Sequence, residues 1–189
     1  MTTLLSAAAG DLPEGLTIGT WKQTKMCRVA QITRDRAPLL VQLTSLADEP
    51  NTWIPCDPSV YGGTGQEERK GIMFRTSEQV IQNIEQLEGW AYSKMRDLHP
   101  NLDVVWKSVI RDKEAPCFKA KVWTGGRMPC HYVDADGKRC EAPERWGGLR
   151  VIPILSVSAY YQPTAAGLVL EVQALRILAD AKEREFTWS

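Results

Sequence analysis

"GLRVIPILSVSAYYQPTAAGLVLEVQALRIL", running from Gly148 to Leu178, decides the fold. It holds two runs of apolar and β-branched residues separated by a Pro- and Gly-bearing turn, so it predicts two adjacent strands. Side chains alternate faces along a strand. Leu168, Leu170 and Val172 are therefore expected to point inward, and Val169, Glu171 and Gln173 outward. On the first strand, Val151, Leu155, Val157 and Ala159 form the more apolar set and lead to Tyr161. Ile152, Ile154, Ser156 and Ser158 lead instead to Tyr160. The expectation is that Tyr161 closes one end of the core while Tyr160 faces out.

Upstream of this hairpin, "CFKAKVW" (117–123) alternates in the same way. Phe118, Ala120 and Val122 share one face, and Lys119, Lys121 and Trp123 share the other. "GIMFRT", "DVVWKSVI", "APLLVQLTSL" and the segment from Trp21 onward add further candidate strands. One segment has a helical period. In "TSEQVIQNIEQLEGWAYSKMRDLHP", Val80, Ile84, Leu87, Ala91, Met95 and Leu98 recur at i+3 and i+4, Thr76 with Gln79 forms a capping box, and Pro100 marks the stop. The predicted helix covers about 77–98, and its outer face is expected to be acidic in the first half (Glu78, Glu85, Glu88), which suits a scaffold. Between strands lies a long Pro/Gly-rich loop, "DEPNTWIPCDPSVYGGTGQEERKG". Many short strands with one intervening helix predict a mainly β (α+β) domain, an antiparallel barrel or sandwich.

The chain has 189 residues, enough for one domain with a real core, and its 23 Lys+Arg balance 23 Asp+Glu. Overall charge therefore selects no partner, but its distribution is uneven. Lys22, Lys25, Arg28, Arg34 and Arg36 crowd 19–45 against Asp35 alone, so one basic face is expected. Five scattered cysteines, with no basic and apolar leader in "MTTLLSAAAGDLPEG", predict a reducing, intracellular setting (nucleus, nucleoid or viral replication site) and no membrane partner.

A Lys-x-Lys-x-Trp strand face joins phosphate-neutralising cations to a flat apolar plate. That pairing suits single-stranded nucleic acid, whose bases are free to stack and whose backbone needs counter-charge. The duller alternative is a solvated strand face with its Trp under a loop. Trp21 beside Lys22 and Lys25, and Trp146 beside Arg145, repeat the cation–aromatic pairing. Cys117, Cys130, His131 and Cys140 invite a zinc reading, but adjacent Cys-His followed by a distant lone Cys is a poor match to paired ligands. "YGGTGQEERKG" lacks phosphate-loop spacing. His99 sits where a helix cap is expected, and no nucleophile elbow or paired-carboxylate motif is present. No catalytic residue, metal or cofactor is expected.

The order "FKAKVW", loop, "WGGLRVIPILSV", Tyr160–Tyr161, turn and "GLVLEVQALRIL", preceded by "IPCDPSVYGGTG" and a helix, resembles the single-stranded-DNA-binding proteins of large eukaryotic DNA viruses and related virus-derived or phage-like elements. The resemblance covers roughly residues 20–178. It implies an OB-like antiparallel β-barrel over 19–179, after a mobile segment 1–18 and before a short tail 180–189. It also implies non-catalytic binding of single-stranded DNA in support of replication or recombination. RNA, replication or recombination proteins and a second copy of the chain are further candidate partners. The residues expected to make the contact are Trp21, Lys22, Lys25, Arg28, Lys119, Lys121, Trp123, Arg127, Arg145, Trp146 and Tyr160. The rival reading is a protein-interaction or structural subunit using the same basic–aromatic face.

Overall fold

The computed structural model describes residues 12–42, 52–60, 68–101, 103–112, 114–126 and 128–180. Its strands are β1 (Leu16–Ile18), β2 (Lys22–Gln23), β3 (Arg28–Arg34), β4 (Ala37–Pro38), β5 (Leu40–Gln42), β6 (Ser59–Val60) and β7 (Arg69–Arg75). The helix α1 (Glu78–Leu98) follows, then β8 (Val105–Lys107), β9 (Ile110–Asp112), β10 (Cys117–Trp123), β11 (His131–Val133), β12 (Leu149–Gln162) and β13 (Ala165–Asp180).

The hairpin expected from Gly148 to Leu178 forms as β12 and β13, paired antiparallel from Leu149↔Asp180 to Gln162↔Ala165. Val151, Leu155, Val157 and Ala159 are buried, as are Leu168, Leu170 and Val172. Where Ile154 pairs with Ala174 and Leu155 with Val172, Gln173 is left over as a bulge. This pair is the spine of the sheet, because β3 and β5 add to β12 while β8, β10 and β11 add to β13.

The expected closed antiparallel barrel is not what these strands build. They form one 13-stranded sheet whose main path is β1-β3-β12-β13-β10-β7-β6, and it is open. β8, β10 and β11 run parallel to β13, so the sheet is mixed. Alternation assigns residues to faces but carries no information about strand direction, which is why the sequence pattern did not distinguish these cases. Between β7 and β12 there is only a one-residue bridge on each side of Trp53, to Arg75 and to Arg150.

The boundaries of the domain also differ from the sequence expectation. Leu16–Ile18, placed in a mobile lead, pairs with Ile32–Arg34 of β3. At the other end β13 runs on to Asp180. Residues 1–11, the glycine cluster at Gly62–Gly65 and the tail 181–189 lie outside the described residues.

α1 presents Val80, Ile84, Leu87, Ala91 and Met95 to the core, where they meet Ile72, Phe74 and Phe118 among others. Phe74 and Phe118, cross-strand partners on β7 and β10, stack with ring centroids 5.2 Å apart. The helix differs from expectation in three places. Its N-cap is Ser77, whose hydroxyl accepts from the Val80 amide, while the Thr76 hydroxyl is paired with that of Thr52. Leu98, at the frayed end of the stripe, is 55% exposed. Glu88, by contrast, is buried, since it falls on the stripe at i+4 from Ile84. It accepts from the Ser108 hydroxyl at 2.7 Å and the Val109 amide at 2.8 Å, fastening the segment before β9 to the helix. Burial raises its carboxyl above the ordinary range, against the pull of those hydrogen bonds. No helix among the described residues is long and apolar enough to cross a membrane.

Candidate nucleic-acid interface

β10 is exposed as its sequence predicts. Phe118, Ala120 and Val122 are buried, whereas Lys119, Lys121 and Trp123 are half-buried on the outer face. The antiparallel register with β7 sets Met73 opposite Lys119, Gly71 opposite Lys121 and Arg69 opposite Trp123. The last pair is in contact: the Arg69 guanidinium lies 5.3 Å from the Trp123 ring centroid, a cation–π arrangement. The Arg69 Nε is buried and donates to no acceptor among the described residues.

Charge is crowded here. On its other side Lys121 pairs with Glu171 of β13. The Lys121 ammonium is nonetheless pushed down to about 8, first by burial and then by the positive charge of Arg69; Glu171 pulls the other way and Lys119 adds to the depression. Lys121 thus has two like-charged neighbours, Arg69 and Lys119, on the same face.

A second cluster gathers at the end of the sheet. Trp21 meets Tyr161 edge-on at 4.9 Å and His99 at 5.8 Å, and His99 lies 4.8 Å from Tyr161. Arg28 Nη1 donates to the Tyr161 hydroxyl at 2.9 Å. Trp21 is therefore one wall of a packed aromatic box rather than an open plate. His99 caps α1 with its backbone, donating N–H to the Met95 carbonyl. Beside this box a cleft of about 390 Å³ is lined by Gln23, Met26, Cys27, Arg28, Tyr161, Gln162 and Pro163. Lys22 and Lys25 are exposed on the strand and turn at its rim.

Tyr160 and Tyr161 point to opposite faces, as expected. Tyr161 packs against the edge of the core. Tyr160 continues the face of Ser156 and Ser158, and its row runs through Val29 to Lys22 on one side. On the other side its partner is Gly167. A Cβ at Gly167 would stand 3.1 Å from the Tyr160 ring and 2.5 Å from the Lys107 carbonyl oxygen, so the ring covers the glycine. Such cross-strand cover of a glycine fixes the ring against the outer face.

Arg145 and Trp146 depart from the expected site. Trp146 is 7% exposed, with its ring edge-on to Tyr132 at 5.6 Å, so it is a core residue and not a stacking plate. Its backbone N–H and that of Gly147 donate to Asp57 Oδ1, at 2.6 and 3.0 Å. These two bonds hold the Asp57 carboxyl below its ordinary range, aided by the charge of Arg145. Arg145 is exposed and serves this loop-to-loop clamp. Arg127 lies outside the described residues.

Among the cysteines weighed for zinc, the Cys130 thiol is buried and pushed up to about 12 by that burial. Its Sγ donates to the His131 carbonyl oxygen at 3.5 Å. Among the described residues no three His, Cys, Asp or Glu side chains converge on a common point.

The expected site residues do not include Arg69 or Trp53. Arg69 was hidden because its strand was read only from Gly71, and Trp53 because it sits in a Pro-rich stretch without alternation. The signal for Arg69 was available: it continues the odd-numbered face of Gly71 and Met73.

No family model and no curated protein matches the chain. Among solved structures it is similar to gp2.5, a single-stranded DNA binding protein encoded by bacteriophage T7, at 13% identity and a TM-score of 0.48, over 75% of this chain and 91% of that one. It is also similar to the single-stranded DNA-binding protein from bacteriophage Enc34, in a C-terminal truncation (14% identity, TM-score 0.49, 90% of this chain and 98% of that chain). The same phage protein in complex with single-stranded DNA matches at 15% identity and a TM-score of 0.46, over 89% and 97% of the two chains. These neighbours are phage proteins, not proteins of large eukaryotic DNA viruses.

Proposed function

We propose that the chain binds single-stranded DNA, without catalysis, on the outer face of β10 and β7, and that it serves replication or recombination by holding strands apart. The observation that supports this reading is the row that Arg69, Lys119, Lys121 and Trp123 share on the outer face of β7 and β10, with Arg69 over the Trp123 ring and both Arg69 and Lys119 close enough to depress the Lys121 ammonium. Like charges so close destabilise a fold unless an anion relieves them. A phosphodiester does so, while the adjacent base stacks on the Trp123 ring. Duplex DNA offers the same phosphates but keeps its bases stacked inside, so the aromatic half of the face selects single strands.

The test is affinity for labelled oligo-dT and for a duplex of equal length across a salt series. Three phosphate contacts predict a slope of log K against log salt of about −2, at roughly −0.7 per contact for single strands. The single strand should bind more tightly than the duplex at every salt concentration. A flat salt dependence, or preference for the duplex, overturns the reading and turns attention to a protein partner for the same face.

A further inference from the structure

The basic–aromatic face does not end at Lys119. Trp53 exchanges two backbone hydrogen bonds with Arg75, each 2.9 Å, and bridges on its other side to Arg150. The second bridge is flanked by Ile54 N–H to Leu149 O and Val151 N–H to Thr52 O, both 2.9 Å. Directly paired residues on neighbouring strands present their side chains to the same face. Trp53 therefore stands between two arginines. Its neighbours Thr52 and Ile54 are 3% and 0% exposed, and Trp53, turned the other way, is 38% exposed.

This triad is continuous with the site already described. Arg69, Gly71, Met73 and Arg75 share the outer face of β7, and Lys119, Lys121 and Trp123 face the first three of them from β10. Six residues separate Arg69 from Arg75, about 20 Å at roughly 3.3 Å per strand residue. One Trp–Arg pair thus marks each end of a strip whose middle is lysine. The Trp53 backbone is fixed by its own bonds to Arg75 on one side and by those of Thr52 and Ile54 on the other, which lowers the backbone ordering cost of binding. Arg75 is steadied too, with Nη1 reaching the Ala115 carbonyl oxygen at 3.5 Å.

We infer that Trp53, between Arg75 and Arg150, is a second stacking and phosphate-binding station for the same single strand of DNA that Trp123 and Lys121 engage. This rests on the proposed function and extends it, because it sets a minimum length of strand for full affinity.

The experiment uses the full chain with oligo-dT from four to sixteen nucleotides, the range of site sizes for such folds. Wild type should gain affinity in two steps with length, the second marking the oligomer that reaches both stations. Trp53→Ala should bind the shortest oligomers like wild type and lose roughly 5- to 150-fold on the long ones, the range of one base–aromatic stack. Trp53→Phe should restore most of that loss. Arg75→Gln and Arg150→Gln should each reduce the salt slope by about 0.7 on long oligomers alone. If Trp53→Ala unfolds at the assay temperature, the Phe and Arg variants decide by the same length dependence. Should these variants match wild type at all lengths while Trp123→Ala weakens binding, the second station is wrong and the proposed function stands. Should Trp123→Ala and Lys121→Gln also leave binding unchanged, the proposed function itself falls.

Discussion

Lys121-x-Trp123 and Arg145-Trp146 present the same chemistry in sequence, a cation beside a tryptophan, yet the fold sends them to opposite fates. Trp123 lies on the outer face under the Arg69 guanidinium, with Lys121 on its own side of the strand. Trp146 is buried against Tyr132, and Arg145 is exposed. On β10 parity decides; Arg145 and Trp146 lie in the loop before β12, where packing of Trp146 on Tyr132 decides instead. In extended chain, residues at i and i+2 share a face and residues at i and i+1 do not. Adjacency of a cation and an aromatic therefore argues against a shared binding face, whereas spacing by two argues for one. Trp21-Lys22 obeys the same rule, with Trp21 packed into the aromatic box and Lys22 exposed. Tyr160 and Tyr161 obey it as well, one on the outer face and one against the core edge.

The contrast breaks most visibly under truncation of the two tryptophans. Trp146→Ala removes a ring that is 7% exposed and should lower unfolding free energy by about 3–5 kcal/mol, the cost of emptying a core aromatic site. Chemical denaturation measures it. If Trp146→Ala melts like wild type but binds oligo-dT weakly, the residue belongs to the interface and not to the core. Trp123→Ala should do the reverse. Its cost falls on binding, about 1–3 kcal/mol against oligo-dT, with the denaturation midpoint moved far less than in Trp146→Ala. A Trp123→Ala chain that binds normally would remove the stacking half of the interface and leave only charge.

Much of this was legible in the chain. The β12–β13 hairpin, the two faces of β10 and most of the buried stripe of α1 followed from periods of two and of 3.6, which report burial directly. What was lost was of another kind. Strand direction leaves no trace in alternation, so the parallel pairing of β10 with β13 and the open edge of the sheet were not foreseen. Glu88 was taken for part of an acidic outer surface because its charge outweighed its position, although the spacing Ile84, Glu88, Ala91, Met95 places it on the core stripe. Trp53 could not be found by period at all. It pairs through one residue on each side, too short a run to establish alternation, and only the register of β7 and β12 brings Arg75 and Arg150 to it.

The finest test of the comparison uses Lys121, the cation that shares Trp123's face. Burial holds its ammonium near 8 instead of 10.5, with Arg69 the next cause and Glu171 opposing. A lysine whose folded value is lowered favours the native state in its neutral form. Its charge therefore costs stability below about 8, and that cost is relieved as pH rises from about 8 toward 10.5. Phosphate needs the opposite form. A bound phosphodiester restores the proton, so binding above pH 8 takes up close to one proton per chain and affinity falls as pH rises. This group alone thus drives stability and affinity in opposite directions over one window. Oligo-dT affinity measured from pH 7 to 9.5 at fixed salt should fall by less than tenfold, the weight of a single phosphate contact. Lys121→Arg, whose guanidinium stays charged throughout, should flatten that fall while keeping the salt slope. A pH-independent wild type, or an equal fall in Lys121→Arg, would show that Lys121 is merely a crowded lysine beside Trp123 and makes no contact with the strand.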